Sequence, residues 1–191
     1  MKIYLIRHGE TTGDLENKYG GAYDDHLTKK GRADAVLLAE KLSDKGIQII
    51  YSSPKLRTKE SSEILNEKLN VPLHVIDGLQ ERDYGILGGM DKNEAKEKYP
   101  EVVEKHKDIY NTDPEGESYE EFKNRVLNVF ETLTNDNQYT TIAIFSHGGP
   151  IKLIYRELFK QGELDELDDY GVLELEKDDT LKFIALHRLG K

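Results

Sequence analysis

Short apolar runs separated by longer amphipathic stretches constrain this chain more than any other feature of its sequence. Ile3–Ile6, Ile47–Tyr51, Leu73–Ile76, Thr141–Phe145, Val172–Leu175 and Leu181–Leu186 read as strands. The first, second and fourth lack polar alternation, as expected of strands covered on both faces. Thr28 predicts a cap for a helix running to Lys45, with Val36, Leu37 and Leu42 on one face and Gly46 as its stop. Ser53-Pro54 reads as a cap and first-turn proline for a helix toward Leu69. Ser118 and Glu121 form a capping-box pattern, after which Phe122, Val126, Val129 and Leu133 follow at helical spacing. Gly148–Phe159 reads as a further helix. Strand–helix alternation of this kind predicts an α/β fold layered around a mainly parallel sheet. The last two strands are joined by only Glu176–Thr180, which predicts an antiparallel hairpin at or near an edge. No repeat or Pro/Ser-rich linker interrupts the pattern, so residues 1–191 read as one domain.

Composition removes whole classes of chemistry. The chain has no cysteine, which excludes disulfides, thiolate metal sites and a cysteine nucleophile, and permits a reducing compartment. Acidic residues outnumber basic ones 37 to 27 with no long Lys/Arg block, which argues against nucleic acid as a partner. The apolar runs are far too short to span a membrane. The opening Met1-Lys2-Ile3-Tyr4-Leu5-Ile6-Arg7-His8 meets charge too early for a secretory signal, so the expected location is cytoplasmic. Oligomeric state is not legible.

Two of the six histidines share one context. Leu5-Ile6-Arg7-His8-Gly9 and Ile144-Phe145-Ser146-His147-Gly148-Gly149 each place histidine after an apolar strand and before glycine. Both should emerge at the same edge of a parallel sheet, where glycine lets backbone turn and approach a ligand. The glycine-rich stretch Gly13–Leu27 and the turn-rich Asp108–Glu117 would wall that edge. Metal-ligand spacing, a serine-hydrolase elbow and a P-loop are all absent from the sequence. Arg7, with Arg57 one turn into the helix after the second strand, instead outlines an oxyanion pocket. His26, His74, His106 and His187 read as surface or structural residues, and Gly85, Gly88 and Gly89 read equally as turns with no ligand nearby or as part of the site.

Those residues carry a resemblance. Leu5-Ile6-Arg7-His8-Gly9-Glu10-Thr11 resembles the signature of the histidine phosphatase superfamily, which includes the cofactor-dependent phosphoglycerate mutases. It continues through Asp25-His26-Leu27-Thr28-Lys29-Lys30-Gly31, Ser52-Ser53-Pro54-Lys55-Leu56-Arg57-Thr58 and Leu79-Gln80-Glu81-Arg82-Asp83-Tyr84-Gly85. Gly116-Glu117-Ser118 and Ser146-His147-Gly148-Gly149 complete it, in family order across nearly the whole chain. The resemblance implies a three-layer α/β/α sandwich and a covalent mechanism. In it His8 is the nucleophile, Glu81 the general acid, and Arg7, Arg57 and His147 hold the phosphoryl oxygens. Asp14, Gly21, Tyr84, Lys92 and Gly148 are the candidate substrate contacts. No metal or nucleotide is implied, and the expected partner is a small phosphorylated metabolite.

Within that family the open question is the acceptor. Glu81-Arg82-Asp83-Tyr84-Gly85 and Lys92-Asn93-Glu94-Ala95 resemble the mutase branch, whose members need a bisphosphoglycerate primer. Against this, His106-Lys107-Asp108-Ile109-Tyr110 offers at most one cation where mutases carry an arginine pair, and the segment that follows is short. The favoured expectation is a metal-independent phosphatase acting through phosphohistidine, with a mutase, then a non-catalytic phosphate-binding protein, as alternatives. Asp14 stands where the family usually has asparagine. It either repels a phosphate dianion from near the pocket or faces solvent and caps a turn.

Overall fold

The computed structural model describes residues 1–136, 138–164 and 166–190. Its centre is a six-stranded sheet ordered β3-β2-β4-β1-β5-β6, comprising β1 (Lys2–Arg7), β2 (Ile49–Ser52), β3 (Leu73–Val75), β4 (Thr141–Ser146), β5 (Val172–Lys177) and β6 (Leu181–His187). β3, β2, β4 and β1 run parallel; β5 is antiparallel to β1, and β6 pairs antiparallel with β5 at the edge.

Seven helices surround the sheet among the described residues: α1 (Thr12–Leu15), α2 (Lys29–Leu42), α3 (Leu56–Leu69), α4 (Lys92–Lys98), α5 (Pro100–His106), α6 (Tyr119–Thr134) and α7 (Gly148–Ile154). α7 continues as a π-helical turn through Tyr155–Phe159. Because successive strand residues face opposite sides, β1 divides its apolar run between two cores. Ile3 and Leu5 pack with α6 and α7, whereas Tyr4 and Ile6 pack with α2 and α3. The result is the expected three-layer α/β/α sandwich around a mainly parallel sheet. No described helix is long and apolar enough to cross a membrane.

Three local expectations fail for identifiable reasons. α2 ends at Leu42 rather than Lys45, and its buried stripe is Gly31, Ala35, Leu38, Ala39 and Leu42. Val36 and Leu37 lie off that stripe and are each 50% exposed. Small residues at i, i+4 and i+8 let the helix approach the sheet, so the burial follows period and size more than hydrophobicity. α3 begins at Leu56, after Ser53 and Pro54, because Ser53 extends the sheet with its N–H to Phe145 O at 3.0 Å. The cap is supplied from outside: Asp24 Oδ1 accepts from Leu56 N at 2.8 Å. The segment 13–27 opens with α1 instead of being loop throughout. α4 buries only Ala95 and α5 buries nothing, so neither carries an apolar stripe that a sequence reading can detect.

α6 is the best-specified helix. Ser118 Oγ accepts from Glu121 N at 3.2 Å, and Glu121 Oε2 accepts from Ser118 N at 3.0 Å. Replacing Ser118 with alanine removes one half of this reciprocal cap and should cost about 1 kcal/mol. In a chain of this size that lowers Tm by about 2–4 °C. Calorimetry on S118A should show it, while Ser118→Asp should retain most of the parent stability.

Candidate active site

Parallel pairing of β1 with β4 places Arg7 opposite Ser146, so both strands release their histidines side by side. His8 N donates to Ser146 O at 3.2 Å, and the two imidazoles meet edge to face at 5.2 Å. A cavity of about 610 Å³ opens above them, walled by α1, the loops after it, and the segment from Glu81 to Ile109.

The His8 ring has a defined tautomer. Its Nδ1 lies 2.8 Å from Gly9 O, and a carbonyl only accepts, so Nδ1 carries the proton and Nε2 keeps its lone pair. Burial, followed by the charges of Arg57 and Arg7, holds the His8 pKa well below the ordinary histidine range. The ring is therefore neutral and faces a cationic pocket. Gly9 is required here, because a Cβ at that position would lie 2.2 Å from the Tyr170 ring.

Arg57 is almost completely buried and immobilised. Its Nη1 donates to Asp25 Oδ1 at 2.9 Å and Tyr23 O at 2.8 Å, its Nη2 to Gly21 O at 3.2 Å, and its Nε to His147 Nδ1 at 3.1 Å. With four bonds made, one of the guanidinium's five N–H groups is left for a ligand. Arg7 is tethered differently, through Nη1 to Leu167 O at 2.5 Å and Nη2 to Asp169 at 3.3 Å. Its Nε is buried with no protein partner.

Glu81 is held by two backbone donors: Arg82 N reaches Oε1 and Gly149 N reaches Oε2, each at 2.9 Å. A Cβ on residue 149 would lie 2.0 Å from Oε1, so this approach depends on glycine. The sequence reading singled out Gly148 and passed over Gly149. Each carboxylate oxygen retains lone-pair capacity for a proton or a water. The Tyr84 hydroxyl is pushed far above its usual range, first by the charge of Glu81 and then by burial, so it stays a donor.

Of the sequence-derived candidates, Arg7, His8, Asp14, Gly21, Arg57, Glu81, Tyr84, Lys92 and Gly148 all border the cavity. His147 does not. It is fully buried beneath the wall, with Nδ1 accepting from Arg57 and Nε2 lying 2.8 Å from Ser53 Oγ. Since Nδ1 accepts, Nε2 carries the proton. Both ring nitrogens are thus spent on protein, and His147 orients Arg57 rather than presenting a donor to the pocket. Its pKa too is held well below the ordinary range, by burial and then by Arg57.

Asp14 adopts the turn-capping arrangement while bordering the cavity. Its Oδ2 accepts from Thr11 N and Thr11 Oγ1, both at 2.9 Å, closing the capping box of α1. Sequence reasoning also missed Asp25, Ser53 and His106. Asp25 lies inside one of the family-like motifs, Ser53 reads in the sequence as a helix cap, and His106 as a surface or structural residue. His106 instead lines the cavity and bonds Asp113. Among the described residues no group of three or more His, Cys, Asp or Glu stands close enough to hold a metal ion.

Fold and pocket together define an α/β protein shaped to seat an oxyanion between two arginines, beside an unprotonated histidine nitrogen. The chain belongs to the Histidine phosphatase superfamily (branch 1), whose family model matches residues 3–177. It is 33% identical to phosphoserine phosphatase 1 of Hydrogenobacter thermophilus over 160 residues, covering 81% of this chain and 74% of that one. It is 27% identical to a 2,3-bisphosphoglycerate-dependent phosphoglycerate mutase of Gloeothece citriformis, covering 82% and 84% of the two chains. Among solved structures, Bacillus stearothermophilus YhfR superposes with a TM-score of 0.88 at 25% identity, over 95% of this chain and 94% of that one.

The buried neutral histidines have a consequence for stability. The folded-state pKa of His8 lies below its unfolded value of about 6.5, so between the two values only the unfolded chain takes up the proton. The stability contribution is intact above the unfolded value and falls as pH drops below it, by at most about 1.4 kcal/mol per pH unit for this one group. Urea melts between pH 7 and pH 5 should therefore show a steeper loss in the parent than in His8→Asn. Parallel slopes would mean that His8 titrates normally.

Proposed function

We propose that the protein hydrolyses a small phosphomonoester through a phosphohistidine on His8, with no metal or nucleotide cofactor. The observation that carries this reading is the His8 tautomer: Nδ1 is committed to Gly9 O, leaving the Nε2 lone pair between two arginines. In the first step Nε2 attacks phosphorus, the bond from phosphorus to the ester oxygen breaks, and Glu81 gives its proton to the departing alkoxide. In the second step water attacks phosphorus, Glu81 takes a proton from it, the P–N bond breaks, and inorganic phosphate leaves. The free N–H of Arg57 and the unpartnered Nε of Arg7 meet the equatorial oxygens, where charge is spread in the transition state. His147 and Ser53 hold Arg57 in place from below.

The resemblance to phosphoserine phosphatase 1 favours water as acceptor, as does the short passage from α5 to α6, which leaves the pocket open. A mutase is the second reading, because Tyr84 and Lys92 both border the cavity and several relatives carry that name. Phosphate release without a primer supports hydrolysis; interconversion of phosphoglycerates that depends on a bisphosphorylated primer supports the mutase.

Two variants test the assigned roles. His8→Ala should abolish turnover, whereas Glu81→Gln should lower kcat by roughly 10²–10⁴-fold while still binding substrate. Rapid acid-free quenching during turnover should trap base-stable, acid-labile phosphate on His8. Label on a serine or an aspartate would overturn the mechanism, as would loss of activity with a chelator that one divalent ion restores.

A further inference from the structure

The His8 tautomer depends on a carbonyl that its own residue cannot hold in place. Nδ1 is fixed by Gly9 O at 2.8 Å, and glycine is the residue whose peptide rotates most freely. Something outside the turn must keep that peptide still, and Tyr170 is placed to do so. A Cβ on residue 9 would lie 2.2 Å from Tyr170 Cε2, 2.5 Å from Cζ and 2.7 Å from the hydroxyl oxygen. The phenol therefore occupies the volume that a side chain on residue 9 would take, and it packs directly on the Gly9 backbone.

Tyr170 is itself pinned from three directions. Its hydroxyl donates to Gly31 O of α2 at 2.9 Å and stands 3.0 Å from Ser61 Oγ of α3. Its N–H donates to His8 O at 3.4 Å, and the next residue, Gly171, accepts from Arg7 N at 3.1 Å. The residue is 1% exposed and has a φ of 54°, in the left-handed region that a bulky side chain seldom enters. Strain of this kind persists only where the surroundings impose it, and it gathers at functional sites. Tyr170 also borders a second cavity of about 550 Å³, which has Tyr4, Leu38, Leu42, Val172 and Leu189 among its walls. Removing the ring would extend that space toward the back of the His8 turn.

We infer that Tyr170 is a positioning residue that keeps His8 in one tautomer and one orientation by filling the space behind Gly9. The inference rests on the reading of His8 as nucleophile and adds what holds it ready. Tyr170 does not border the active-site cavity, so it acts only through the His8–Gly9 turn. With the ring gone, the Gly9 peptide rotates and its carbonyl leaves Nδ1. The single imidazole proton is then free to move to Nε2, which takes away the lone pair that attacks phosphorus. Arg57 keeps its four bonds and Arg7 its ties to Leu167 and Asp169, so binding of phosphate changes far less than its transfer.

The experiment exchanges size between residues 9 and 170 and reads it with p-nitrophenyl phosphate. Tyr170→Gly suits the left-handed backbone and deletes the ring. Its single-turnover rate of nitrophenolate release should fall about ten- to a hundredfold, with the half-saturating concentration changed by less than about threefold. Tyr170→Phe, which keeps the ring, should recover most of that rate. Gly9→Ala should be impaired alone because its Cβ meets the ring, whereas Gly9→Ala combined with Tyr170→Gly should be faster than either single variant. A Tyr170→Gly rate within about twofold of the parent, or a double variant that fails to exceed both single variants, overturns the inference. If Tyr170→Gly does not fold, Tyr170→Leu keeps apolar volume and carries the same expectation. If the parent releases no nitrophenolate, the reading of His8 as nucleophile fails on its own account. The nitrogen-15 shifts of the His8 ring then decide the positioning role. A single Nδ1-protonated tautomer that becomes mixed in the variant supports it, and identical shifts overturn it.

Discussion

The site is organised by the burial of Arg57. A guanidinium only 3% exposed needs a counter-charge and acceptors, and it finds them in two separate parts of the chain. Asp25, Tyr23 and Gly21 come from the loop after α1, His147 from the end of β4, and Arg57 itself from the first turn of α3. One side chain therefore pins a glycine-rich loop to the carboxyl edge of the sheet. Asp25 extends the tie, since its second oxygen accepts from Gly13 N at 3.2 Å. Burial first, and then the same positive charge, suppress protonation of His8 and His147. One buried cation thus anchors the loop and helps to keep the His8 ring neutral.

Close backbone approach completes what that cation begins. Tyr170 lies beneath Gly9 and spans to α3 and α2, its hydroxyl 3.0 Å from Ser61 Oγ and 2.9 Å from Gly31 O. The turn after His8 thus rests on a fixed aromatic ring. On the opposite side, Arg82 donates to Glu117 O, Ile109 O and Asn111 O, while Arg125 is bidentate to Glu117. These two arginines clamp the backbone around Glu81 to the segment leading into α6. Preorganisation of this sort lets fixed donors meet developing charge without reorganising at the moment of reaction.

How much of this was legible depended on the kind of information required. β1, β4 and the capping box of α6 were readable because apolar runs and caps are local properties. The pairing of the two histidines followed from strand context, since parallel neighbours end at one edge. The buried face of α2 was misread because Val36 and Leu37 looked like core while Ala35 and Ala39 did not. Ser53 was assigned to a cap because its true partner, His147, lies 94 residues away. His147 is the same failure in reverse: residue type and context pointed to the ligand, and two hydrogen bonds to the protein turned the ring inward. The place of His106 on the cavity wall was not legible, because Tyr19 and Tyr84, which pack against its ring, lie far away in sequence.

The two arginines of the pocket differ in how tightly they are held, and the difference matters for turnover. Arg57 is locked by four bonds and buried on every side but one. Arg7 is 27% exposed in its side chain and leans on Asp169, whose carboxyl is pushed above its ordinary value chiefly by burial, with Arg7 opposing that rise. On the proposed reading, an incoming phosphate dianion would compete with Asp169 for Arg7 and leave Arg57 undisturbed. Two rigid clamps would bind substrate and product phosphate equally well, and uniform binding of that kind does nothing for the chemical step. On the proposed reading, one locked arginine supplies preorganised charge, while the other would exchange a protein carboxylate for the ligand and take it back when phosphate departs.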